Sequence, residues 1–154
     1  MSDLIIERTF DAPIEKVWAA WTEPEMYMKW WGPEHFTAPL AEMDVRPGGI
    51  NFSAMQDPSG KRYYSIGTYE EVTPMTKLVY TDSFADENKN IVPASFYGME
   101  GDRPVSMRVT VLLEDADGKT KMTLRHEGLP EGEMTDQTSA GWNQSFDKLN
   151  VSVK

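Results

Sequence analysis

Apolar positions change their spacing three times along this chain, and each change predicts a different kind of element. Residues 4–10, LIIERTF, are apolar and β-branched, as a first strand requires. Asp11, Ala12 and Pro13 then open a helix, with proline at its first position, and Ile14, Val17, Trp18 and Trp21 follow at i, i+3, i+4 and i+7. That is one apolar stripe on a short helix. Pro24 starts a second short helix through Tyr27, Met28, Trp30 and Trp31, stopped by Gly32 and Pro33.

From Phe36 to His126 the pattern becomes a series of short β-rich runs at 36–46, 49–56, 62–73, 77–84, 105–114 and 119–127. Pro47-Gly48-Gly49 and the segments 57–60, 73–76 and 115–118 supply turns between neighbours, which predicts an antiparallel meander. With the first strand the sheet has seven members. The segment 85–104 is rich in turn formers yet carries Ile91, Val92, Phe96, Tyr97 and Met99, the composition of a lid or binding loop.

After residues 128–130 the period is helical again: Met134, Thr138, Trp142, Phe146, Leu149 and Val153 fall on one stripe. A helix of about twenty residues spans roughly 30 Å at 1.5 Å per residue, enough to cross a sheet. Gly141 and Ser145 flank that stripe, where small side chains admit either close packing or a ligand. The fold class is α+β, one domain over residues 1–154.

The adjacent indoles of Trp30 and Trp31 must cover something. Each buried aromatic removes about 150–250 Å² from water, so the pair belongs to a core or to a cavity wall.

Composition narrows the function. The chain has 15 basic and 25 acidic residues, a net charge of −10, which repels phosphate backbones and anionic membrane surfaces. Nucleic acid and membrane are therefore not expected partners. Cysteine is absent, and the N-terminus MSDLIIERTF has neither a basic region nor a long apolar run, which predicts a cytoplasmic protein. Asn-x-Ser/Thr triplets at Asn51, Asn143 and Asn150 carry no meaning there.

Phosphate-loop, dinucleotide, nucleophile-elbow and zinc-protease motifs are all missing. Asp115 and Asp117 resemble the start of a calcium loop but lack its remaining ligands, so the segment reads as a hairpin turn. His35 and His126 are the only imidazoles; both are placed to face a cavity mouth, and neither has triad or metal partners nearby in sequence. No metal or cofactor is expected. Glu70, Glu71, Asp82, Asp86, Arg46, Arg108 and Arg125 lie on or beside strands, where most such charges face water and an inward carboxylate would become a proton carrier.

The segments FDAPIEKVWAAWTEPEMYMKWWGP, MDVRPGG, GTYEEVTPMTKLVYT, and HEGLP with GWNQSFDKL, are similar to successive blocks of the SRPBCC or START-like superfamily. Within it they resemble the subgroup named after the C-terminal domain of the activator of 90-kDa heat-shock protein ATPase. That resemblance implies a helix-grip fold: a seven-stranded antiparallel sheet, two short helices and a long C-terminal helix. It also implies a choice among lipid or small-molecule binding, chaperone contact, and cyclase- or hydrolase-like catalysis.

Three expectations follow. The first is a cavity between sheet and terminal helix for a hydrophobic small molecule, lined by Trp30, Trp31, Phe52, Tyr69, Tyr80, Met107, His126, Trp142 and Phe146. A contact with a chaperone through the acidic surface is the second. The third is a cyclase- or hydrolase-like enzyme using the same cavity, with one carboxylate or a histidine, His35 or His126, as proton carrier.

Overall fold

The computed structural model describes residues 2–98, 106–129 and 133–154, with main chain alone at 2, 133 and 134. Seven strands form one antiparallel sheet in the order β1-β7-β6-β5-β4-β3-β2. They are β1 (Ser2–Phe10), β2 (Thr37–Met43), β3 (Ile50–Gln56), β4 (Arg62–Thr73), β5 (Lys77–Ala85), β6 (Met107–Ala116) and β7 (Lys119–Leu129). Every ladder from β2 to β7 joins sequence neighbours, and β1 closes the order by pairing with β7. The meander read from the turn residues is the observed one. In the tightest of its turns, between β6 and β7, Asp117 and Gly118 both take positive φ and Asp115 accepts the Gly118 N–H.

Helix α1 (Ile14–Thr22) buries Val17, Ala20 and Trp21 and leaves Trp18 half-buried. Pro13 is its N-cap rather than its first residue. The second helix is shorter than its periodicity suggests: α2 is Pro24–Tyr27, and Trp30 and Trp31 fall in the turn that follows. Gly32 ends that turn at φ 102°. Helix α3 (Glu133–Ser152) buries Trp142, Phe146 and Leu149, and Val153 just after it is buried too; the side chain of Met134 lies outside the described residues.

Register assigns the faces, because residues opposite each other across a ladder point the same way. One face carries Ile6, Phe10, Met122, Leu124, His126, Val109, Val111, Leu78, Tyr80, Asp82, Tyr69, Ser65, Ser53 and Asn51. The helices cover this face: α3 touches β1, α1 touches β6 and β7, and α2 touches β2. Arg8 on β1 holds α3 through Asn143 and an ion pair of 2.7 Å to Asp147. The opposite face carries Ile5, Thr123, Arg125, Arg108, Leu112 and Val79, and most of it meets solvent.

Gly67 lets β4 and β5 approach. A Cβ there would lie 1.8 Å from the Thr81 carbonyl oxygen, so no other residue fits the crossing.

Candidate functional site

The tryptophans form the centre of the interior. Trp30 is fully buried and its indole N–H donates to the Ala20 carbonyl at 2.8 Å. Trp21 packs edge-on to Trp30 at 4.8 Å, and Trp31 edge-on to Trp142 at 5.3 Å. Trp142 in turn stacks on Phe146 at 5.4 Å. Such ring pairs add about 0.5–1.5 kcal/mol each beyond burial. The loop after α2 is therefore joined to α3 by aromatic contact, and hydrogen bonds support the join. Lys148, its pKa lowered by burial, donates to the carbonyls of Pro33 and Phe36 at 3.3 and 3.1 Å, and Gln144 accepts the Glu34 N–H at 3.0 Å.

His126 sits beneath this cluster. The Trp142 indole N–H donates to its Nδ1 at 3.1 Å, which requires that nitrogen to be unprotonated and assigns the other nitrogen the proton of a neutral ring. His35 is elsewhere: it is exposed, at φ 71°, in the turn after the tryptophans. The two histidines do not share a site.

Tyr69 and Tyr80 face each other across β4 and β5 with ring centroids 6.2 Å apart. They line a small hollow together with Tyr27, Asn51, Ser53 and Trp21. Its cavity volume is about 10 Å³, room for one water and far below the several hundred cubic ångströms of a metabolite pocket. Burial raises the pKa of the Tyr69 hydroxyl to about 12, against a lowering influence from the Asn51 side chain. Burial also pushes Tyr27 and Tyr80 well above the ordinary phenol value, and the Asp82 carboxylate adds to both. Tyr69 is held from behind: its N–H donates to the Gly49 carbonyl at 2.9 Å, and its carbonyl accepts the Gly48 N–H at 2.8 Å. The Pro47-Gly48-Gly49 turn thus positions the phenol.

Three polar atoms in this interior make no hydrogen bond of ordinary geometry among the described residues: Tyr69 Oη, Trp21 Nε1 and Trp31 Nε1. Interiors seldom leave such groups unmet, since each costs about 1–3 kcal/mol.

Of the nine residues singled out from the sequence, Trp30, Trp31, Trp142, Phe146 and His126 are contiguous, and Tyr69 and Tyr80 form the hollow. Tyr27, not among the nine, bridges the groups by stacking on Trp31 at 5.1 Å and lining the hollow. Its four-residue distance from Trp31 is the signal that marks it. Met107 is buried on the covered face opposite Asp82. Phe52 is on the other face, stacked on Tyr64 at 5.5 Å beneath the Lys89 ammonium.

The charged residues separate as strand alternation requires. Glu70 pairs with Arg108 at 2.8 Å, Glu71 with Lys77, Asp44 with Arg46, and Asp3 with Arg125, all on exposed surface. Asp86 caps its own turn through Asn88 and Asn90. Asp82, half-buried, is the carboxylate of that set on the covered face. Among the described residues no group of three or more acids and histidines is placed to hold a metal, and no helix is long and apolar enough to cross a membrane.

The segment after β5 closes the far end of the covered face. Residues 94–97 form one turn of 3-10 helix that puts Tyr97 against Phe84 and Tyr63, with centroids 5.6 and 5.3 Å away. The Tyr97 hydroxyl accepts the Tyr64 N–H at 3.0 Å and donates to the Ala85 carbonyl. Tyr64 and Ala85 are register partners, so the phenol sits on the end of the β4–β5 ladder. Residues 99–104, the rest of the expected lid, lie outside the described residues, as does 105, the expected start of the next strand.

The sequence matches the protein family described as "Activator of Hsp90 ATPase homolog 1-like protein" over residues 11–154. Among curated proteins no sequence matches. Solved structures do. A Chromobacterium violaceum protein is 27% identical with a TM-score of 0.81, over 99% of this chain and 96% of its own. A Silicibacter pomeroyi protein described as AHSA1 is 26% identical with a TM-score of 0.76, over 97% and 96%. A Nitrosomonas europaea protein is 25% identical with a TM-score of 0.78, over 99% and 94%.

Proposed function

We propose that this chain, which belongs to the Activator of Hsp90 ATPase homolog 1-like family, is a binding domain for an apolar, ring-containing small molecule held between the covered sheet face and α3. The observation that carries this reading is the set of buried donors, Tyr69 Oη, Trp21 Nε1 and Trp31 Nε1, that make no hydrogen bond of ordinary geometry among the described residues of an otherwise aromatic interior. The proposed wall is Trp31, Trp142, His126 and Tyr80, with Trp30 and Phe146 behind it.

In the closed form the hollow of about 10 Å³ admits no such molecule, so entry needs an element to move. The Tyr97 segment is the one placed to yield: the Tyr97 side chain holds it through two hydrogen bonds and ring contacts, and Lys61 reaches its carbonyl from the surface. Opening it uncovers Tyr63, Phe84 and the Asp82 end of the face.

Thermal denaturation with a library of aromatic and aliphatic probes tests the reading. A probe at a hundred times its dissociation constant should stabilise the fold by about 2.7 kcal/mol, which raises Tm by roughly 5–10 °C for a chain of this size. No shift across the library, with no added density in soaked crystals, rejects it.

A second reading, contact with a chaperone ATPase, is favoured by the uncovered sheet face. There Ile5 and Leu112, 60% and 40% exposed, share the face with Val79 and with the Glu70–Arg108 and Asp3–Arg125 pairs. With a net charge of −10 the chain would meet a basic surface, and salt would weaken the contact. An unchanged ATPase rate of purified chaperone at low salt, with and without this protein, rejects that reading.

A further inference from the structure

We infer that the hollow beside Tyr69 is a one-oxygen site, filled by a single water in the free protein and by the neutral hydroxyl oxygen of the apolar molecule in the liganded one. The second half rests on the binding reading above; the first stands alone.

Size is the first argument. The hollow measures about 10 Å³, close to the roughly 10–15 Å³ that one water centre needs. A methyl group would fit as well, so the lining decides. Tyr69 is 1% exposed, lines the hollow, and its hydroxyl has no hydrogen bond of ordinary geometry among the described residues. Tyr27, Tyr80, Asn51 and Ser53 supply further polar groups around the same space, among the apolar side chains of Trp21, Met43 and Leu78. A water placed there finds the two to four partners that hold internal waters, and it satisfies the orphaned phenol. A dry hollow would leave the Tyr69 hydroxyl with the Asn51 side chain nearby but no hydrogen bond of ordinary geometry among the described residues.

The same geometry limits what replaces the water. A carboxylate, two oxygens wide, exceeds the volume, and Asp82 and Asp44 already oppose negative charge at these phenols. One uncharged oxygen on an apolar frame reproduces the hydrogen bonds of the displaced water. The ligand class is therefore an aromatic or alicyclic alcohol rather than an acid.

A high-resolution crystal structure of the free protein should show one water within hydrogen-bonding distance of Tyr69 Oη. In Tyr69→Phe the density should vanish and Tm should fall by about 3 °C. Ser53→Ala, on the facing strand, should shift Tm in the same direction. An empty hollow, with Tm unchanged or raised in Tyr69→Phe, overturns the water half, because deleting an unmet hydroxyl then removes a penalty. Calorimetry with 2-naphthol and naphthalene tests the other half: 2-naphthol should bind the wild type roughly fivefold tighter, a difference lost in Tyr69→Phe. Equal affinities, or a difference that survives the substitution, overturn this half and leave the binding reading standing. Failure of both probes overturns the ligand half together with that reading.

Discussion

Trp142 donates its indole N–H to Nδ1 of His126 across the boundary between α3 and β7, at 3.1 Å and out of contact with water. The bond links the last helix to the last strand by their side chains, and it assigns the tautomer of the imidazole. Trp142→Phe keeps much of the ring volume and leaves a buried acceptor without its donor. The expected cost is about 1–3 kcal/mol in urea denaturation; a loss below about 0.5 kcal/mol would show that the bond contributes little.

Tyr97 anchors its segment through one oxygen. Tyr97→Phe should retain the ring contacts with Tyr63 and Phe84 and lose both hydrogen bonds. Amide hydrogen exchange of residues 91–98 should then accelerate roughly tenfold, as about 1.4 kcal/mol of local stability is removed, while β6 and β7 stay protected. Unchanged exchange in 91–98 would disprove the anchoring role.

Alkali should unfold this protein through its phenols. Tyr27, Tyr69 and Tyr80 have pKa values raised by burial, Tyr69 to about 12. A folded pKa above the unfolded value favours the native state below the unfolded pKa, and the benefit disappears as pH rises through the folded pKa. Stability should therefore hold to about pH 10 and fall steeply by pH 12. Urea midpoints across that range, with phenolate absorbance followed in parallel, check the direction; a midpoint that stays level to pH 12 contradicts it.

Two glycines should respond oppositely to alanine. At Gly67 the new Cβ would meet the Thr81 carbonyl oxygen at 1.8 Å, so Gly67→Ala should cost more than about 3 kcal/mol or prevent folding. At Gly141 the nearest atom is Pro33 Cγ at 3.7 Å, an ordinary contact. Gly141→Ala should stabilise α3 by about 0.5–1 kcal/mol. Melting temperatures of the two variants decide both statements.

The sequence made the sheet readable because each hairpin carries its own turn residues, as at 57–60 and 115–118, independent of distant packing. The second helix was overextended because a four-residue helix and the turn after it present aromatic residues at the same spacing; only the main chain separates Tyr27 from Trp31. Phe52 was expected to line the cavity between sheet and terminal helix; it is buried, but on the other face of the sheet. Here β3 turns Asn51 and Ser53 inward instead, where they line the hollow beside Tyr27 and Tyr69. A polar interior patch inverts the rule that apolar residues point inward. The Trp142–His126 bond was unreadable for a different reason: its ends lie 16 residues apart in different elements, and no local spacing encodes the meeting.

Lys148 reaches the carbonyls of Pro33 and Phe36 across 115 and 112 positions of chain. Trp30 and Trp31, made early in synthesis, receive the part of their cover that Trp142 and Phe146 supply only when α3 has been translated. Until then one side of each indole lacks its partner, and closing the core waits on contacts of large sequence separation. A chain cut short before Lys148 leaves the ribosome with its heaviest rings uncovered, a candidate for aggregation or for capture by quality control.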